Sequence, residues 1–283
     1  MRGALIYERG NTERNRRYIE LFTAAAARRG DALSLLCTDE ISFGFENGKP
    51  FFLRKGEECP LDFAVMRCMR LPLSVHLEGM GVPVFNPAKV SRICNDKRET
   101  ARHFHQKNLP FVDTAFADAS CQAQPFSYPV VVKAADGCGG RQVFLCQNAE
   151  EYAAALARIA PSAAVVQPFL KTGGRDVRLY MLGGHFRIGM ERYSDSGDFR
   201  SNFGLNGHAR PYAPDASLIA LAERAIDGLN TALVGVDFLF DEKGNVFLNE
   251  IEDAVGTRML YQYTNIDIVD EYMDLIHNTV IIK

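Results

Sequence analysis

The stretch Leu233-Val-Gly-Val-Asp237-Phe-Leu-Phe-Asp241-Glu-Lys-Gly-Asn-Val246-Phe-Leu-Asn-Glu250-Ile-Glu252 decides how this chain is read. Two apolar, β-prone runs flank a polar break, which is the pattern of a β-hairpin. With a loop over residues 242–245, Asp241 faces Val246 and Asp237 lies directly opposite Glu250. Period-2 alternation adds Glu252 to that face and gives Val236, Phe238, Phe240, Phe247 and Ile251 to the other, which suits a core. Neighbouring carboxylates on one sheet face sit roughly 5–8 Å apart and repel. A cation is therefore expected among Asp237, Glu250 and Glu252, and all-oxygen ligands with open positions suit Mg²⁺ carrying nucleotide phosphates. A solvated acidic edge would account for the same three residues.

The chain has 283 residues, 47% of them hydrophobic, enough for a large core divided among one to three domains. Its formal net charge of −3 gives no general grip on nucleic acid or an anionic membrane. The first seven residues form a short apolar run that meets Glu8 and Arg9 at once, too short for a signal sequence, and no stretch approaches a transmembrane span. Seven cysteines are scattered singly, without Cys-x-x-Cys or Cys/His ligand spacing. That usage fits a reduced, cytoplasmic protein and argues against a structural zinc site or a disulfide framework.

Strand and helix signals alternate in the first region. Residues 3–7, 32–37, 63–66 and 82–85 read as strands. One helix follows the Asn11-Thr12 cap and stops at Gly30; another opens at Pro72 and ends near Gly79 or Gly81. This order implies a parallel sheet with right-handed crossovers. Residues 42–60 read as an excursion, with a small hairpin around Asn47-Gly48. A second region starts near Asn86-Pro87, where Asn95 or Asp96 caps a helix that runs to Asn108. Strands at 111–116, 129–134, 143–145 and 163–167, with a helix at 149–159, complete an α+β unit. The third region carries strands 176–182 and 185–193 around Gly183-Gly184, a helix at 216–232, the acidic hairpin and a last helix at 267–277.

Several groups beyond the hairpin could carry chemistry. Lys133 ends an apolar strand and is followed by the turn Asp136-Gly137-Cys-Gly139-Gly140, where glycine N–H groups can approach an anion. The spacing is not that of a P-loop. Lys97 follows a helix cap, and Gln167-Pro-Phe169-Leu170 leaves a strand whose exposed backbone could read a purine edge. Asp176 and Arg178 share a strand face, as binding groups or as a structural ion pair. In Asp198-Phe-Arg200-Ser-Asn202, Arg200 offers a bidentate fork to a phosphate or carboxylate, with Asn202 on the same face if the segment is extended. Arg9, Arg14, Arg16, Arg17, Arg67 and Arg70 follow strands at the sheet edge where α/β folds bind ligands, and could receive an acidic acceptor or form a solvated basic face. The six histidines show no ligand spacing, and His103 and His105 read as surface groups.

These pieces, in this order, resemble the ATP-grasp superfamily, and within it the RimK-like carboxylate–amine ligases. The resemblance covers nearly the whole chain and implies α/β and α+β architecture. An N-terminal parallel-sheet pre-ATP-grasp domain (residues 1–88) would precede a lid subdomain (89–168) and a C-terminal core with the metal site (169–283), two α+β subdomains gripping ATP. It implies that Lys97 and Lys133 contact the phosphates and that Gly137, Gly139 and Gly140 form a lid. Gln167, Phe169 and Leu170 would border the adenine, with Asp176 and Arg178 also at the nucleotide, and Asp237, Glu250 and Glu252 would hold Mg²⁺ or Mn²⁺. Arg200 and Asn202 would serve the transferred group. The implied substrates are small-molecule or peptide carboxylates and amines, without nucleic acid or membrane, and a homo-oligomer is left open. Three positions depart from the pattern: Glu252 where asparagine is usual, Pro168 at the hinge, and Asp253-Ala-Val-Gly256 in place of a small-residue, Pro and Gly stretch. These departures keep a second expectation open, an ATP-binding sensor on the same scaffold.

Overall fold

The structure is a computed structural model that describes residues 1–120, 123–137, 139–140, 142–194 and 208–282. The first region supplies β1 (Arg2–Tyr7), α1 (Arg16–Arg28), β2 (Ala32–Cys37), β3 (Ile41–Glu46), β4 (Lys49–Arg54), β5 (Glu57–Glu58), β6 (Phe63–Met66), α2 (Leu71–Gly79) and β7 (Val84–Phe85). Strands β2-β1-β6-β7 pair in parallel, and all four residues of β6 are buried, as an apolar strand covered on both faces requires. The excursion is the antiparallel sheet β3-β4-β5. Its first turn has positive φ at both Asn47 (50°) and Gly48 (74°), the backbone that a two-residue hairpin needs. Helix α1 starts later than its expected cap. Residues 9–11 and 13–15 form tight 3₁₀ turns instead, held by Thr12 Oγ1 donating to Arg9 O and Asn15 Nδ2 donating to Asn11 O.

The middle region contains α3 (Ala88–Cys94), α4 (Lys97–Gln106), β8 (Ala115–Ala117), β9 (Val130–Ala134), β10 (Val143–Cys146), α5 (Ala149–Ile159) and β11 (Ala164–Pro168). The four strands form an antiparallel sheet in the order β10-β9-β11-β8. Helix α5 covers it, and its start is fixed reciprocally: Asn148 accepts from Glu151 N while Glu151 accepts from Gln147 N. The strand expected at 111–116 shortens to β8. Pro110 O accepts from Leu248 N and Phe111 bridges Leu248, so the preceding backbone belongs to the C-terminal sheet.

The last region contains β12 (Arg175–Leu182), β13 (His185–Tyr193), β14 (His208–Tyr212), α6 (Ala216–Ile226), β15 (Leu233–Phe240), β16 (Val246–Glu252), α7 (Arg258–Tyr263) and α8 (Ile268–Ile281). The sheet runs β14-β13-β12-β15-β16, antiparallel throughout. Helix α6 stops before residue 232 because Gly228 and Asn230 adopt left-handed backbone at φ 72° and 56°. Residues 89–112, grouped with the lid from sequence, contribute Val90, Phe104 and Leu109 to one core with Val177, Leu179, Val234 and Phe238 of the C-terminal sheet. The physical reason is the amphipathic face of α4, from which Phe104 enters that core and His103 bonds Ala225 O of α6. Among the described residues no helix is long and apolar enough to cross a membrane.

The N-terminal sheet and the C-terminal sheet each keep a core of their own and share a third between them. Leu5, Tyr7, Phe22 and Phe63 pack in one cluster with Tyr180, Met190, Tyr272 and Met273. Asn86 is the polar pin of this joint and is 3% exposed. Its Oδ1 accepts from Ala232 N at 2.6 Å and Leu233 N at 3.2 Å, and its Nδ2 donates to Leu233 O at 2.8 Å and Asp253 Oδ1 at 2.8 Å. Truncation would strand several buried groups at once. Asn86→Ala should therefore lower unfolding free energy by about 3 kcal/mol, since each orphaned buried group costs ~1–3 kcal/mol. Urea denaturation checks this, and a loss below ~1 kcal/mol would mean that the joint does not depend on Asn86.

Candidate active site

Two β-bulges set the register of the site. In the β12–β13 hairpin, regular counting from Gly183-Gly184 would oppose Asp176 with Glu191; the register shift at Tyr180/Met181 leaves Arg187 as an extra residue, so Asp176 faces Arg192. In the β15–β16 hairpin, Phe240 rather than Asp241 faces Val246, and the loop spans residues 241–245. Asp241 closes that loop instead, accepting from Lys243 N and Asn245 N. A second bulge then absorbs Asn249, so Asp237 does lie opposite Glu250, with Glu252 opposite Gly235. The bulge also exchanges core residues: Leu248 is 1% exposed in the core, while Phe247 is half-buried on the other face.

The cation expected on this face is arginine, twice over. Arg178 grips Asp237 with Nε and Nη2, each at 2.7 Å, and Arg192 Nη2 reaches the same carboxylate at 2.6 Å. Arg192 also forks onto Asp176, at 2.7 and 2.5 Å, and Arg178 Nη1 pairs with Glu252. Asp176, Arg178 and Arg192 are each 5% exposed and Asp237 is sealed, so these pairs hold each other where unpaired charge would be costly. Burial alone would raise the Asp237 carboxyl, but the charges and hydrogen bonds of Arg178 and Arg192 outweigh it and hold it at about 2. Gly235 makes room: a Cβ there would stand 3.0 Å from Arg178 Cδ and 2.9 Å from Val255 Cγ2.

Above this floor lies a cavity between the lid sheet and the C-terminal sheet. Asp176, Arg192, Asn249, Glu250 and Glu252 form its floor; Asp237 and Arg178 lie beneath it and do not line it. Lys97, Lys133, Gly137, Gly139 and Gly140 line the opposite side. Lys97 sits at the start of α4, where its N–H donates to Ala135 O at 2.9 Å and its Nζ to Gly137 O at 2.5 Å. Lys133 Nζ donates to Asn249 Oδ1 at 3.1 Å. Burial lowers the Lys133 ammonium, Glu250 opposes that and Lys97 adds to it, leaving a pKa of about 8. Gly139 and Gly140 need the left-handed backbone they adopt, at φ 68° and 73°.

At the other end, Gln167, Phe169 and Leu170 line the cavity with Pro168. Gln167 Nε2 is engaged by Thr114 Oγ1 at 2.9 Å, and Phe169 N–H donates to Pro129 O at 3.0 Å. Pro168 has no N–H, so backbone donation to a ligand at this edge falls to Leu170 and beyond. Arg200 and Asn202 lie outside the described residues. Sequence reasoning missed Arg192, Asn249, Asn95 and Met69, all of which line the cavity. Arg192 and Asn249 depend on bulges that no residue pattern announces.

Other expectations change. Arg67 is half-buried at the joint: Nη2 donates to Ala254 O and Val255 O at 3.2 and 3.0 Å, and its guanidinium lies 4.8 Å over the Tyr18 ring. Arg9 is paired with Asp39 and Glu40 and Arg70 lies 3.9 Å from Glu8, so neither Arg9 nor Arg67 is a free receptor for an acidic acceptor. His103 is 9% exposed and bonds Ala225 O at 2.7 Å, not solvent, because its face of α4 is the packed one.

The donor set fits a magnesium–nucleotide complex. Asn249, Glu250 and Glu252 offer oxygens on one side of the cavity while Lys97 and Lys133 offer two ammonium groups from the other. Among the described residues no three His, Cys, Asp or Glu side chains are grouped to hold a metal ion alone. A hard cation here would complete its shell with phosphate oxygens and water, as Mg²⁺ commonly does.

Two α+β lobes closing on such a cavity define the ATP-grasp class. The chain belongs to the RimK-like ATP-grasp family, whose model matches residues 108–276. It is 32% identical over 177 residues to "Uncharacterized protein MG011 homolog" of Mycoplasma pneumoniae, a match over 62% of this chain that spans only 61% of that relative's length. It is 28% identical over 279 residues to a "Probable alpha-L-glutamate ligase" of Aliivibrio fischeri, covering 92% of this chain and 91% of that protein. The RimK domain ATP-grasp protein of Sphaerobacter thermophilus superposes with a TM-score of 0.71 at 23% identity over 96% of both chains. D-cycloserine synthetase DcsG gives 0.75 at 16% identity over 98% of this chain and 99% of that one. At these identities the structural likeness establishes the fold.

The Lys133 pKa fixes a sign. An unfolded lysine keeps its proton up to about 10.5 and folded Lys133 only to about 8. Between those values the unfolded chain binds more protons, so this group adds stability as pH rises. Relative to Lys133→Met, the wild-type protein should gain stability between pH 8 and 10.5 in denaturant titrations; parallel curves would show that Lys133 titrates normally.

Proposed function

We propose that this protein is an ATP- and Mg²⁺-dependent ligase that activates a carboxylate as an acyl phosphate and joins it to an amine. The observation that carries the reading is the convergence of Lys97 and Lys133 on Asn249, Glu250 and Glu252 across one cavity in a RimK-like chain. Relatives support the substrate class. One is named as an alpha-L-glutamate ligase and another, 23% identical over 231 residues, as "Glutamate--LysW ligase ArgX" of Sulfolobus acidocaldarius. A structural neighbour, the ligase PsnB, was solved with a minimal precursor. For this chain we take the substrates to be amino acids or peptides, acting without nucleic acid or membrane. The described cysteines are all free, in keeping with a cytoplasmic setting.

In this reading Lys97 and Lys133 hold the phosphates, and the Gly137, Gly139 and Gly140 turn closes over them and excludes water. Phe169 and Leu170 border the base beside Gln167. Glu250 and Glu252, joined by Asn249, hold the metal, Mg²⁺ or Mn²⁺. Asp237 stands behind them and fixes Arg178 and Arg192, while Asp176 fixes Arg192 from the other side. Mg²⁺ held there would neutralise phosphate charge. A carboxylate oxygen of the substrate attacks the γ-phosphorus and ADP leaves. The amine then attacks the acyl carbon, phosphate leaves with the bonding pair, and the amine proton passes to phosphate or solvent. Arg200 and Asn202 are assigned to the transferred phosphoryl and acyl groups. Positioning and charge suffice, since phosphoryl transfer needs no covalent enzyme nucleophile.

One observation favours a second reading, a nucleotide-binding sensor: Glu252 stands where asparagine is usual and is engaged by Arg178. ADP release with Mg²⁺·ATP, across a panel of amino acids and acidic acceptors, separates the two. The ligase reading expects turnover with at least one pair, reduced about a hundredfold or more in Glu250→Gln. Nucleotide binding with no turnover for any pair would favour the sensor. Nucleotide affinity should also fall about tenfold from pH 7 to 9, as the charged fraction of Lys133 drops around its pKa of about 8. Lys133→Arg should flatten that fall, because guanidinium stays charged.

A further inference from the structure

We infer that Asp253 is a positioning residue: its carboxylate, gripped by Asn86 on one side and Asn95 on the other, fixes the metal-side strand against the turn that presents Lys97. The inference rests on the nucleotide-site reading and extends it to a residue outside the cavity.

Asp253 follows Glu252 at the end of β16 and, unlike Glu250 and Glu252, does not line the cavity. It is 5% exposed. Its Oδ1 accepts from Asn86 Nδ2 at 2.8 Å and its Oδ2 from Asn95 Nδ2 at 3.2 Å. Asn86 also reaches the Asp253 carbonyl at 3.1 Å and is itself held by the backbone of Ala232 and Leu233. Asn95, steadied by Ser91 Oγ at 2.9 Å, lines the cavity and is two residues from Lys97. Between them stands Asp96, whose carboxylate caps α4 by accepting from Arg98 N at 2.8 Å. The carboxylate of Asp253 thus joins the rim of the N-terminal sheet, the α3–α4 turn and the strand of Glu250 and Glu252.

The residue type follows from acceptor arithmetic. Two amide –NH₂ groups approach from different sides, and a side chain that accepts from both needs two oxygens at one branch point. Asparagine matches the shape but would turn its own –NH₂ on one of them. Burial pushes the Asp253 carboxyl above its ordinary range, so keeping a carboxylate here has an energetic cost. Arg67 does not form an ion pair with it; that guanidinium bonds the carbonyls of Ala254 and Val255 and anchors the next two residues of the same segment. Tyr180 Oη fixes the residue after those, donating to Gly256 O at 2.6 Å. Residues 253–256 are thus held from outside the cavity, and the bonds of Asp253 reach across to the turn before Lys97.

The test is a donor–acceptor swap. Asp253→Asn and Asn95→Asp are made singly and together. In the double variant the amide introduced at position 253 donates to the carboxylate introduced at position 95 while still accepting from Asn86. Two readouts are taken, the Kd of Mg²⁺·AMPPNP by calorimetry and hydrogen exchange at the Lys97 amide, which donates to Ala135 O at 2.9 Å. Each single variant should weaken binding about tenfold and speed Lys97 exchange, and the double variant should restore both to within about threefold of wild type. Single variants that lower Tm but leave Kd and Lys97 exchange unchanged would overturn the inference, as would a swap that recovers Tm alone. A wild-type protein that fails to bind Mg²⁺·AMPPNP would sink the nucleotide reading, while the exchange measurement would still decide the coupling.

Discussion

Two guanidiniums share the carboxylate of Asp237, and the site above is built on that arrangement. Arg178 and Arg192 both end on a carboxylate with no exposed surface, and each carries a second acidic partner, Glu252 and Asp176 respectively. Five charged side chains from four adjacent strands therefore form one array. Removing Asp237 would leave each buried guanidinium with one acidic partner in place of two, and a buried charge that loses a partner is costly. The array fixes where Glu250 and Glu252 stand relative to the lysines of the opposite lobe. Arginine supplies positive charge under the acidic face.

The array needs its register, and register here comes from irregularity. Both hairpins carry one extra residue, Arg187 in one and Asn249 in the other. Without the first, Asp176 would face Glu191 and two acids would be opposed across the sheet. Without the second, the five-residue loop would set Asp237 opposite Asn249. The extra residue at Asn249 also turns an amide oxygen toward Lys133, joining lid to floor even with the cavity open. Bulges near active sites re-aim side chains in this way.

Much of this was legible in the sequence, for stated reasons. Strands β6 and β13 and helix α5 were read to the residue, because apolar runs and a Gly-Gly turn are local signals. The pairing of Asp237 with Glu250 was also read, but through two errors that cancel: a loop one residue too short and a bulge not foreseen. Arg192 stayed invisible because its partner is set by a bulge, and His103 and Arg67 were misjudged because burial by a distant segment leaves no local mark. Helix α3 and the packing of α4 on the C-terminal sheet are likewise tertiary facts. Lys133 was singled out by the glycine run after its strand and Lys97 by its place in the family order, and the structure brings both, with Gly137, Gly139 and Gly140, to one cavity.

A crystal structure of the Mg²⁺·AMPPNP complex tests the account most directly. It should show both lysines on the phosphates and the metal on Glu250 and Glu252, with Arg178 and Arg192 still bonded to Asp237. A metal bound to Asp237 with both guanidiniums displaced, or phosphates away from Lys97 and Lys133, would contradict it.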